Sequence, residues 1–132
     1  YHESGFIERY PVDTASLTAD GITVASASDI LPQNMAYLQK LIELCRAEDI
    51  EFVAVTTPLP LPLLQADAAQ YMETWAYFDS FFSGQDVRYL NFNDAEHFML
   101  FTHEMDAFTD MDGHMNGDAA RAFSRVLAQQ LS

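Results

Sequence analysis

"QNMAYLQKLIELCRAEDIEFVAVTTPLP", residues 33–60, changes its hydrophobic period midway, and that change sets the fold class. Met35, Leu38, Leu41, Ile42 and Cys45 recur at three- and four-residue steps, the spacing of one apolar helix face. The spacing predicts a helix over about 32–48 with Leu41 on its buried side. "IEFVAVTTP" at 50–58 is then dense in β-branched residues, as in a strand covered on both faces, and Pro58 ends it because proline cannot donate to a sheet ladder. A helix feeding a central parallel strand is the expected unit.

The flanks extend the same alternation. "PLPLPLL" at 58–64 reads as a stiff apolar loop, since each proline biases the residue before it toward extended geometry. Helical spacing resumes near Gln65 and runs through Tyr71, Met72, Trp75, Phe78, Phe81 and Phe82 to a stop at Gly84. "VRYLNF" at 87–92 reads as a second strand. From Asn116 or Gly117 to Gln130, an amphipathic closing helix carries Ala120, Phe123, Val126 and Leu127, with Leu131 following on the same face. Residues 1–30 form a loop-rich lead-in in which only "GITVA" at 21–25 reads as a strand. The order implies an α/β fold of the three-layer, flavodoxin-like kind, with parallel strands joined by right-handed crossovers. Two or three strands make a thin parallel sheet, so residues 1–132 are expected to be a single α/β domain with further strands within residues 1–30, or the C-terminal portion of a larger one, which is the favoured expectation, or to have an edge covered by a partner, including another copy in a homo-oligomer.

Composition narrows the function classes. Twenty acidic residues against six basic ones give a formal charge of -14 over 132 residues, which repels nucleic-acid phosphates and anionic lipid surfaces. No apolar run reaches the roughly 18–20 residues that span a bilayer. The first residue is Tyr1, so a processed or trimmed product is expected, with any targeting segment upstream. Cys45 is the single cysteine, lies in an apolar helical pattern, and is read as core.

Chemistry concentrates in "DMDGHMNGD", residues 110–118. Ligands of open parallel sheets sit beyond the carboxyl ends of the strands. Those ends are Thr56-Thr57-Pro58 and Asn91-Phe92-Asn93, and the loop carrying His114 follows the last strand toward the same rim. A purely structural reading of the loop stands beside this. Aspartates before a helix satisfy its free N–H groups and its positive dipole end, Asn116 or Asp118 is a ready cap, and Gly113 and Gly117 permit tight turns. A calcium loop fails on its anchors: aligning Gly113 with the loop glycine puts Phe108 at the first ligand position and Ala119 at the twelfth. His97 and His103, with Glu96, Glu104 and Asp106, lack the His-Glu-x-x-His spacing of a helical zinc site. No metal and no cofactor are expected.

Asp110 to Phe123 resembles the last block of the SGNH hydrolase superfamily, in which an acid a few residues before a histidine is followed by Leu or Met, Asn, a small residue and a closing helix. The branch it most resembles is the envelope-associated group of DltD-like and alginate O-acetylation proteins, and "QNMAYLQKLIELCRAEDIEFVAVTTPLP" is similar to the preceding helix and strand there, so that the likeness covers roughly residues 33–131. The resemblance implies a Ser-His-Asp triad acting on a glycan or envelope ester, in the bacterial cell envelope or otherwise outside the cytoplasm. His114 is then the base, Asp110 or Asp112 the acid that orients it, and Thr57, Asn93 and Asn116 the candidate substrate contacts. The usual acid position, three residues before the histidine, is Met111. No serine follows Gly-Asp, and "FND" at 92–94 lacks the glycine of the family's oxyanion block, so the nucleophile is expected outside these residues. The alternative is a noncatalytic α/β domain for binding or assembly, with a structural acidic loop.

Overall fold

A computed structural model describes residues 8–132; residues 1–7 of the lead-in lie outside the described part. The elements run α1 (Pro32–Ala47), β1 (Val53–Thr56), α2 (Leu61–Ala66), α3 (Ala68–Gly84), β2 (Arg88–Asn91) and α4 (Gly117–Gln130), with short 3-10 turns at Ala27–Asp29, Phe98–Leu100 and Met105–Ala107. The protein is mixed α/β, and its sheet pairs β1 with β2 in parallel, Val53 opposite Arg88 through Thr56 opposite Asn91. The described residues divide into two compact units, 22–56 with 67–91, and 8–21 with 57–66 and 92–132.

The first of these units holds the sheet. Pro32 occupies the first turn of α1, where its missing N–H has no intrahelical partner to lose. Ile42 is buried in a cluster with Ala54 and Phe82, against which Leu38, Phe52, Phe78, Phe81, Val87 and Tyr89 pack. Leu41, expected on this face, is instead 47% exposed. The inward line is Met35, Leu38, Ile42 and Cys45, and Leu41 lies one helical step outside it. Strand β1 is likewise covered on one face only: Ala54 is buried, while Val55 is 37% exposed. "GITVA" forms no strand. The carbonyls of Val24 and Ala25 accept hydrogen bonds from Gln70 Nε2 (2.7 Å) and Thr74 Oγ1 (3.2 Å) of α3, which satisfies them without a ladder.

Both helix-to-strand turns are built alike. Asp49 (φ 55°) and Asp86 (φ 53°) adopt left-handed backbone after α1 and α3. The next amides, Ile50 N and Val87 N, reach back to Cys45 O (2.8 Å) and Phe82 O (2.9 Å). Each is a Schellman-type ending with an apolar residue immediately after the left-handed position.

The second unit contains α2 and α4. Residues 61–64, expected to be loop, open α2: Leu63 N and Leu64 N donate to Pro60 O at 3.0 and 3.1 Å. The prolines fall before the helix and in its first turn, where no amide is missed. Asp67, at φ -149° and ψ 58°, breaks the helical path before α3. Helix α4 begins where the sequence places it, because Asn116 Oδ1 accepts from Ala119 N (3.0 Å) and Asn116 Nδ2 donates to Asp106 O (2.7 Å). Its Phe123 meets the fully buried Phe92 edge-on at 4.8 Å, and Ala119 joins Ala107 and Phe108 in a second core cluster. Leu131 follows the helix and is 46% exposed.

Candidate functional site

The loop between Phe108 and Met115 is a closed structure. Phe108 and Met115 form an isolated antiparallel bridge, and Thr109 N and Oγ1 both donate to His114 O, at 2.8 and 3.0 Å. Gly113 turns the loop at φ 87°. Inside it, Asp110 Oδ1 accepts from the amides of Asp112 (3.1 Å) and His114 (3.2 Å). This is an Asx-type turn, in which a short carboxylate organises the next few amides.

The same carboxylate holds the imidazole. His114 Nδ1 lies 3.0 Å from Asp110 Oδ1 and 2.8 Å from Oδ2. In a neutral imidazole a carboxylate at Nδ1 selects the tautomer that carries its proton there, which leaves a lone pair on Nε2. The ring is 53% exposed, and Nε2 has no hydrogen-bond partner among the described residues. Burial alone would push the Asp110 carboxyl up; the hydrogen bonds from His114, together with the positive charge of His114 and Arg9, outweigh this and hold it below its usual range. Asp110 is thus the acid paired with His114. Asp112 is exposed and contributes its backbone amide to the turn.

The segments that leave the two strands come together within this unit. Asn93 Nδ2 donates to Thr57 O (2.9 Å) and Asn93 Oδ1 accepts from Leu59 N (2.8 Å), so this amide clamps the chain after β1 to the chain after β2. Leu59 lies against Gly113. Of the expected substrate contacts, Thr57 is exposed, whereas Asn93 (7% exposed) and Asn116 (4%) have both ends of their amides committed to the protein. Their geometry is that of scaffold.

Among the described residues, His97 and His103 are structural in the same sense. His97 Nδ1 meets Asp94 Oδ1 at 2.9 Å, and the His103 ring stacks on Phe98 at 3.9 Å while its nitrogens face Leu59 O (2.8 Å) and Phe98 O (3.2 Å). Donor atoms of Asp110, Asp112 and His114 lie within 4.8 Å of one another, but the Asp110 oxygens are already engaged by amides, imidazole and guanidinium, and we assign no metal to them. In the sheet-bearing unit, a cleft of about 730 Å³ between Arg46, Asp49, Asp79 and Arg88 lies at the strands' amino ends, opposite to the carboxyl-end rim where parallel sheets bind ligands.

Sequence reasoning missed Arg9. Its Nη1 donates to Asp110 Oδ2 at 2.8 Å across 101 positions, and no local pattern announces a contact that distant. Against known proteins the chain has no match: no family model, no curated protein and no solved structure.

Proposed function

We propose that this chain is the C-terminal part of an SGNH-like ester hydrolase or acyltransferase, supplying the histidine and aspartate of a Ser-His-Asp triad whose serine lies outside these 132 residues. In this reading β1 and β2 belong to a larger, three-layer, flavodoxin-like sheet, and the substrate is a glycan or envelope ester. The observation that carries it is the Asp110–His114 pair, with Nδ1 held by the carboxylate in a side chain that is 53% exposed.

The chemistry follows from that pair. Serine is a weak nucleophile until a base removes its proton. Nε2 of His114 takes that proton as Oγ bonds to the acyl carbon, and returns it to the departing alcohol oxygen as the tetrahedral adduct collapses to an acyl-serine. Water or an acceptor hydroxyl then repeats the exchange. Asp110 stays ionised throughout, orienting the ring and stabilising its positive charge.

A second reading, a noncatalytic domain with a structural acidic loop, is favoured by the two backbone amides and the guanidinium that Asp110 also gathers. The full natural protein separates the two. A fluorophosphonate probe should label one serine, and His114→Ala should abolish both labelling and hydrolysis of a chromogenic acetate ester while leaving the melting midpoint within a few degrees. Undiminished turnover in folded His114→Ala, or no labelled serine in active protein, would overturn the catalytic reading.

A further inference from the structure

Arg9 is fixed by its backbone before its side chain does anything. Its carbonyl accepts from Gly117 N, the first residue of α4, at 2.8 Å, so the chain at Arg9 is docked on the helix that closes the candidate site. From there Nη1 makes two contacts, to Asp110 Oδ2 at 2.8 Å and to Thr109 Oγ1 at 3.2 Å. Both lead to the same residue. Asp110 Oδ2 is the oxygen 2.8 Å from His114 Nδ1, and Thr109 Oγ1 donates to His114 O at 3.0 Å. One guanidinium nitrogen therefore braces the imidazole through its carboxylate and the backbone of the same residue through a hydroxyl.

We propose that Arg9 is the positioning residue of the Asp110–His114 pair, setting the carboxylate plane so that Nδ1 is held and Nε2 points outward. This rests on the reading of His114 as a general base. The physical reason is directional. A carboxylate on a short side chain rotates about χ2, and two backbone amides fix only Oδ1. Oδ2, which faces His114 Nδ1, is held from outside the loop by Arg9 Nη1, whose N–H directions are set by the planar guanidinium. Orientation outweighs net attraction here, because the Arg9 side chain is 43% exposed and the Coulomb energy of so open a pair is largely screened.

The test compares Arg9→Gln and Arg9→Lys in the full protein. Neither removes the main-chain bond to Gly117, so α4 stays docked, and matching melting midpoints check this. The first readout is the His114 Nδ1 proton in low-temperature proton NMR, which a carboxylate shifts downfield and protects from exchange. Arg9→Gln should broaden or abolish that signal, and Arg9→Lys should restore it in part. The second is ester turnover: kcat should fall about tenfold in Arg9→Gln with KM unchanged, the size typical of an outer partner that orients a reacting group. An unaltered Nδ1 signal in Arg9→Gln would overturn the role of Arg9 whatever the turnover does. Activity that survives His114→Ala would instead remove the catalytic reading while leaving the NMR result to stand or fall independently.

Discussion

Leu59 and Gly113 are in contact so close that a Cβ on Gly113 would lie 2.8 Å from Leu59 Cδ2. Gly113 also sits at φ 87°, a backbone region that side chains rarely adopt. The loop that presents His114 thus rests on the segment leaving β1 at a point where a methyl group would have to displace the Leu59 side chain. Gly113→Ala is expected to destabilise by about 1–3 kcal/mol, combining backbone strain with displacement of Leu59. Denaturant midpoints measure the cost, and the Nδ1 proton of His114 should broaden because its loop has shifted. A variant as stable as the parent, with that proton unchanged, would contradict this packing.

On α1 the buried position is Ile42 rather than Leu41. Ile42 is 2% exposed within the cluster it shares with Ala54 and Phe82, and Leu41 is 47% exposed. Ile42→Ala should cost about 2–5 kcal/mol through lost burial and a cavity, whereas Leu41→Ala should cost less than about 1 kcal/mol. Urea unfolding of the two variants compares them directly. Equal losses would mean that the helix is rotated from this placement.

That pair shows what the sequence made legible. Periodicity located α1, α3, both strands and α4, because spacing is a local property of the chain. It put Leu41 on the buried side together with Ile42, because only 100° of helical rotation separates them and both fit a broad apolar stripe, whereas only Ile42 is buried. It overrode α2, since prolines in a first helical turn look like loop until the helix after them is seen. At the candidate site, Asp110, His114 and the Asn116 cap were readable from one short segment. The choice of Asp110 over Asp112 was not, because it depends on a turn that folds Oδ1 onto two amides. Arg9 was beyond reach, because its partner lies 101 positions away.

Asp49 and Asp86 offer a stabilising change. Each holds left-handed backbone and places a carboxylate just past a helix C-terminus, where the helix dipole is negative. Glycine removes both penalties. Asp49→Gly and Asp86→Gly should each raise stability by roughly 0.5–1 kcal/mol, and asparagine, which keeps the side chain but loses the charge, should give part of that gain. Thermal melts at pH 7 provide the comparison, and a fall in midpoint for both glycine variants would show that the carboxylates hold the turns in some other way.

The state of Asp110 sets a pH dependence with a definite sign. Its carboxyl is held below its ordinary value of 3.8: burial opposes this, and the His114 hydrogen bonds with the His114 and Arg9 charges prevail. A group whose pKa is lower in the folded chain adds stability while it is ionised in both states, so the contribution is complete above the unfolded value and disappears as pH falls through the folded one. Asp110→Asn cannot titrate. The stability difference between parent and Asp110→Asn should therefore shrink as pH falls from about 5 to below about 4, as the parent loses what the variant never had. Denaturant titrations of both proteins at pH 3, 4, 5 and 7 measure it. Added salt should reduce the difference at pH 7 only modestly, because most contacts of the carboxylate are hydrogen bonds within the loop and its ion pair with Arg9 is open to solvent. A difference that grows on acidification would mean that Asp110 takes up its proton more readily folded than unfolded, and the His114 contact would then be that of a neutral acid.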